Sequence, residues 1–224
     1  MTNKKILLGI LGILFLGGIV MAISGASNVA IVNEARWSGS AAPSDETEGG
    51  NITYANVTGT VLTDKWASYF GNVSGNITLD DNGANASVYS WSWALATGGE
   101  ICLSTASAYD FSTPTVATGA NVDTAWAFSG ADADSGANTF AGACTLDFAQ
   151  GSVVGTQYID IKGASTYNSC VIYDGAGAAE TDYAFCTALA DGLNYNSSTV
   201  HYEVMVPTTV GNVLETYYFY VELE

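Results

Sequence analysis

The sequence predicts an all-β chain: a β-sandwich or jelly-roll-like domain that follows an N-terminal signal or hydrophobic helix. Three observations carry this expectation. Short runs with period-two alternation recur from residue 51 to the C-terminus, and side chains that repeat every second residue mark strands. The runs are punctuated by Gly, Asn and Asp turns in a chain with 25 Gly and only 3 Pro. No stretch keeps a helical apolar period for more than about two turns, residues 181–189 being the best short exception. With 48% hydrophobic residues, 224 residues suffice for one domain with a real core.

In chain order, residues 1–26 read first as a secretory signal. Lys4 and Lys5 form a basic start, residues 6–23 are apolar, and Ser24 and Ala26 give a small-x-small cut point. The apolar run also reaches the lower length limit of a membrane-crossing helix, so a retained anchor or pilin-like helix is the alternative. A pilin processing site places a small residue before the apolar run, whereas here Lys5 abuts Ile6. Residues 27–50 combine a short apolar strand (Asn28, Val29, Ala30, Ile31, Val32) with a small, polar linker. The sandwich domain spans residues 51–224. Its expected strands cover 51–62, 73–79, 88–93, 99–105, 125–128, 157–162, 169–173, 200–206 and 216–223. The last has aromatics on both faces, which requires either a central place in the sheet or a partner's cover.

Charge narrows the function. Twenty-two acids face 5 Lys plus Arg, for a net charge of −17, so no basic patch exists for nucleic acid. Removal of the first 26 residues leaves only Arg36, Lys65 and Lys162 against all 22 acids. Such a surface is soluble and suits cation-rich surroundings. No Gly-x-Ser-x-Gly, phosphate-cradling loop or His pair is present, and no spacing singles out two carboxylates, so no catalytic residue is assigned. His201 is expected to face solvent beside Glu203, opposite Val200, Tyr202, Val204 and Val206.

Other residue sets point to an exported surface. Asn-x-Ser/Thr occurs at Asn51, Asn56, Asn72, Asn76, Asn85 and Asn196, five of them before residue 88; the pattern suits N-glycosylation and also ordinary alternating strands. Cys102, Cys144, Cys170 and Cys186 lack Cys-x-x-Cys spacing, and the single His cannot complete a zinc set, so two disulfides are expected. Three pairings are open; nearness along the chain favours Cys102–Cys144 with Cys170–Cys186. Asp132, Asp134 and Asn138 place oxygen ligands around Gly in a weak calcium-loop pattern, though a plain solvated turn explains them more simply. No other cofactor is expected. Trp66, Trp91 and Trp93 suit a sugar-stacking platform or, more ordinarily, a core.

Three stretches together resemble an uncharacterised family of exported archaeal cell-surface proteins: Gly50-Asn-Ile-Thr-Tyr-Ala-Asn-Val-Thr-Gly59; Lys65-Trp-Ala-Ser-Tyr-Phe-Gly-Asn-Val-Ser-Gly75 with the Tyr89-Ser-Trp91 strand; and Val206-Pro207 leading to Tyr217-Tyr-Phe-Tyr-Val-Glu-Leu223. The resemblance covers most of residues 41–224 and implies a cell-envelope or extracellular place, without any activity. The resulting expectation is a glycosylated structural subunit of a filament or surface layer that self-assembles by strand addition through Asn28, Val29, Ala30, Ile31 and Val32. The alternative is a carbohydrate-binding surface module. Membrane contact is expected only through an uncleaved N-terminus.

Overall fold

The computed structural model describes residues 23–36, 46, 48–80, 87–175, 178–211 and 213–224. Residues 6–22 of the apolar run, Asn85 and most of the linker lie outside the described residues. Among the described residues, no helix is long and apolar enough to cross a membrane.

The domain is an all-β sandwich. The strands begin with β1 (Ser24–Gly25), β2 (Trp66–Gly71), β3 (Asn76–Asp80), β4 (Ser87–Ser92), β5 (Glu100–Ser104) and β6 (Thr115–Val116). Two short helices follow, α1 (Gly119–Ala125) and α2 (Gly136–Thr139). Next come β7 (Ala141–Phe148), β8 (Gly151–Asp160), β9 (Asn168–Tyr173) and β10 (Tyr183–Ala188). The chain ends with β11 (Gly192–Leu193), β12 (Thr199–Val200), β13 (Tyr202–Pro207) and β14 (Tyr218–Val221). Eight strands form one antiparallel sheet in the order β1-β14-β5-β10-β9-β8-β7, with β6 joined to β9. The pairs β2–β13, β3–β4 and β11–β12 stand apart from it.

Two cores lie on opposite faces of the central strands. Leu103, Val171 and Phe185 face Val204 and Val206 of β13, with Trp66 of β2 and Trp126 closing the layer. On the other face Cys102, Ile172 and Cys186 meet Leu146 and Phe148 of β7, along with Tyr109 and Phe111. The sheet therefore curls so that β7 comes back over β5 and β10.

Several expectations are corrected. Residues 183–188, inside the best helical stretch, form β10: every side chain but the last is buried between two neighbouring strands, and such a strand reads as a continuous apolar run. Residues 125–128 form no strand but follow α1, whose first turn is capped by Thr118. Residues 51–62 alternate yet pair with nothing among the described residues, leaving Ile52, Tyr54, Val57 and Val61 almost wholly exposed. Residues 28–32 form no strand either.

The disulfides also differ from the expectation. Cys102 bonds Cys186 and Cys144 bonds Cys170. Sequence nearness fails because register decides: Cys102 on β5 lies directly opposite Cys186 on β10, although 84 residues separate them. Cys170 also lies opposite Cys186, and the curl of β7 brings Cys144 to it instead.

Candidate functional site

The C-terminal strand has the unusual position. β14 pairs on its inner side with β5 over Tyr218–Val221. Two of its aromatics are covered, one on each face, while Tyr218 is exposed. Phe219 meets Tyr69 edge-on at 5.3 Å, while Tyr220 packs on Phe111 at 5.2 Å and donates its hydroxyl to the Ala106 carbonyl. Burial thus accounts for Phe219 and Tyr220.

Its outer side has a shorter cover. Among the described residues, only Ser24 and Gly25 pair there, opposite Val221 and Tyr220, and the Ala26 amide donates to the Phe219 carbonyl at 2.8 Å. Ile23 is buried in the second core. The segment expected to end at a cut after Ala26 therefore supplies the edge strand and one core side chain. Beyond it, Asn28, Val29, Ala30, Ile31 and Val32 are all exposed. Val29 and Ile31 line a cleft of about 410 Å³ with Gly25, Tyr69, Tyr217 and Phe219.

No protein-family model, curated protein or solved structure matches this chain. The site is therefore read from its own geometry.

The glycosylation positions are accessible wherever they are described. Asn51, Asn56, Asn72, Asn76 and Asn196 are all exposed, and Asn85 lies outside the described residues. The tryptophans separate. Trp66 packs between Phe128 and Phe140 and donates to the Asp134 carbonyl at 2.7 Å, so it is core. Trp93 is half-buried and donates to the Gly98 carbonyl. Trp91 is exposed on the β3–β4 hairpin, its ring 4.7 Å from that of Tyr89.

The weak calcium loop is filled by the protein's own cation. Lys65 Nζ lies 2.9 Å from Asp132 and 2.5 Å from Asp134, while the Asn138 amide donates to the Gly130 and Asp132 carbonyls. Hydrogen bonds donated to Asp134 and then to Asp132 raise the Lys65 ammonium above the usual lysine value, and Lys65 holds Asp134 below the usual aspartate value. The turn is an ion pair. His201 is likewise corrected. It is half-buried with Nδ1 against the Val73 backbone, and Glu203 is buried, accepting from the Tyr195 amide. Burial raises Glu203 above the usual carboxyl value.

Sequence reasoning missed one group at the other end of β14. Glu100, Glu222 and Glu224 each bring a carboxylate oxygen within 4.8 Å of the others. Burial, with further help from the Glu222 and Glu224 charges, pushes Glu100 up to about 7, against the lowering hydrogen bond from the Asp147 amide. The legible signal was a Glu opening an otherwise apolar strand after Gly98-Gly99, repeated in Val-Glu-Leu-Glu at the C-terminus.

Proposed function

We propose that this chain is an exported, glycosylated structural subunit of an extracellular filament or surface layer, joined to identical subunits by β-strand addition. The carrying observation is that the outer edge of β14 is occupied by Ser24 and Gly25, with Ile23 in the core beneath, immediately before the expected cut. Cleavage after Ala26 removes both. It then uncovers backbone groups of β14 and the slot of one aliphatic side chain. An open edge of that kind templates another strand. The segment Asn28, Val29, Ala30, Ile31 and Val32 of a second copy offers alternate aliphatic side chains to the slot, main-chain hydrogen bonds giving affinity. The linker gives it reach.

Other features support the same setting. Both disulfides suit an oxidising compartment, and the exposed sequons suit glycans. The resemblance to exported archaeal surface proteins points to the cell envelope. A coat with so few cations does not associate through charge pairing, so assembly depends on a specific contact.

The test compares residues 27–224 with a chain lacking residues 27–37, by sedimentation velocity and negative-stain microscopy. Polymers are expected from the first and monomers from the second. A mature chain that stays monomeric at high concentration overturns the proposal. An uncut N-terminus by mass spectrometry replaces it with an anchored, pilin-like subunit. The second reading, a carbohydrate-binding surface module, rests on the exposed Tyr89–Trp91 pair. It predicts sugar binding that survives deletion of residues 27–37 and is lost in Trp91→Ala.

A further inference from the structure

The glutamates beside the C-terminal end of β14 are not accounted for by assembly. Glu100 opens β5 and Glu222 directly follows β14, the Glu222 amide donating to the Glu100 carbonyl at 2.9 Å. Both point to the same sheet face as Cys102 and Tyr220, where β7 folds over them. Each has one anchored oxygen: Glu100 Oε1 accepts from the Asp147 amide and Glu222 Oε1 from the Ala149 amide, both at 3.1 Å. The second oxygens are different. Glu100 Oε2 and Glu222 Oε2 are buried and have no hydrogen-bond partner among the described residues, and the two residues are only 5% and 4% exposed. Glu224 adds a third, exposed carboxylate.

The protein offers this cluster no counter-charge from its ion-paired lysines. Lys65 is committed to Asp132 and Asp134, and Lys162 to Asp160. The further charge near Glu100 and Glu222 is another acid, Asp147. Two buried carboxylates with orphaned oxygens and like-charged neighbours are costly unless something positive joins them. The backbone is arranged to let them meet. Gly98 and Gly99 have φ of +102° and +123°, and a Cβ on Gly99 would lie 2.2 Å from the Glu222 carbonyl oxygen.

We propose that Glu100, Glu222 and Glu224 form a binding site for a calcium ion, which clamps the C-terminus to β5 and to the end of β7. Hard divalent cations take carboxylate oxygens, and calcium–oxygen distances of about 2.4 Å span a shell about 4.8 Å across, which holds three oxygens as close as these. Magnesium retains several waters and demands a tighter octahedron, so it fits two water-excluded carboxylates less well. Glu224 closes the site from the solvent side and gives the ion its entry path. The inference stands apart from strand addition: it needs only the fold of β5, β7 and β14.

The test is calorimetric titration of the EDTA-stripped full chain with calcium chloride, paired with thermal unfolding in calcium, magnesium or EDTA. One calcium per chain is expected, with a Kd of about 10⁻⁴–10⁻³ M, as for extracellular modules, and a higher Tm in calcium than in EDTA. Glu224→Gln, an exposed change that also relieves like-charge repulsion, does not lower the Tm measured in EDTA and weakens calcium binding at least about tenfold, roughly the loss of one charged ligand. Glu222→Gln abolishes binding. Absence of both heat and Tm shift at about 10 mM calcium, well above that Kd range, overturns the proposal. So does a calcium effect equal in Glu224→Gln, or matched by magnesium, since both describe screening of a very acidic surface.

Discussion

Strands β5, β10 and β9 share a sequence signal with residues 51–62 and the β3–β4 hairpin, and the two sets meet opposite fates. Every residue of β5 is buried, as are five of six in β10, whereas every residue of β4 is exposed and residues 51–62 pair with nothing among the described residues. Both regions are rich in β-branched and aromatic residues. What separates them is the polar half of the pattern. Ile101, Cys102 and Leu103 present apolar groups to both faces, which only a strand covered on two sides can satisfy. Tyr89 and Trp91 alternate with Ser90 and Ser92, which need only water. The first region holds the molecule together, and the second is the surface it shows to other things. Sequons fall mainly in the second, as expected if its exposed apolar groups are shielded by glycans.

The largest expected effect breaks the first region. Replacing Cys102 and Cys186 together by Ala frees a loop of 84 residues, and chain entropy puts the loss at about 4 kcal/mol. Urea unfolding with and without the substitutions measures it. The Cys144/Cys170 pair closes 26 residues and loses about 3 kcal/mol. Mass mapping of a non-reducing digest checks the pairing directly: a Cys102–Cys144 peptide rejects this register. Equal losses from the two pairs would favour native-state strain over chain entropy as the cause.

The same contrast explains what was legible in the sequence. The all-β class, the region of β4 and the run of β5, β9, β13 and β14 were readable because alternation or a bounded apolar run marks extended chain directly. Pairing was not. Residues 51–62 and 28–32 alternate as well as any strand here, and no local feature says whether a partner stands beside them. The disulfide partners were hidden for the same reason, since β5 finds its neighbour 84 residues away. The acids of the carboxylate site stood out in their apolar runs, but their meeting did not, because Glu100 and Glu222 are brought together by the β5–β14 register alone. Lys65 was visible only as one of three cations; that it would take the acidic turn depended on β2 lying over residues 132–134.

An intermediate effect lies at that ion pair, where β2 of the covering layer meets the helical segment. Lys65→Met removes an ammonium that bridges Asp132 and Asp134 and stands 5.8 Å over the Phe128 ring. The two aspartates are well exposed, so screening limits the loss to about 1 kcal/mol. The pH dependence gives its signature. Asp134 is lowered in the folded chain, so its share is present above the ordinary aspartate value of about 4 and lost as pH falls through its folded value. Lys65 is raised, so its share is present below the ordinary lysine value of about 10.4 and lost as pH rises through its folded value. The difference between wild type and Lys65→Met in urea is therefore flat from about pH 5 to 9 and shrinks in acid, as pH falls below the ordinary aspartate value of about 4. A difference that persists unchanged in acid assigns the role of Lys65 to packing of its stem rather than to charge.

The smallest effect belongs to the exposed hairpin, and its smallness is informative. Val88 is 74% exposed and Leu79 54% exposed, on a pair of strands that joins no larger sheet. Replacing either with Thr puts a β-branched residue on a pleated surface and removes little buried area, so unfolding should move by no more than about 0.5 kcal/mol. A drop beyond about 1 kcal/mol would mean that the hairpin packs on the sandwich, and the contrast between the two regions would fail. The hairpin's value is then tested by function alone. If β-strand addition assembles the chain, Val88→Thr polymers should form at the wild-type rate, because the acceptor edge is β14 of the large sheet, whereas β4 belongs to a separate pair of strands. Slowed polymerisation with unchanged stability would instead place β4 in the contact between subunits, and would make its exposed aliphatic groups part of the assembly surface.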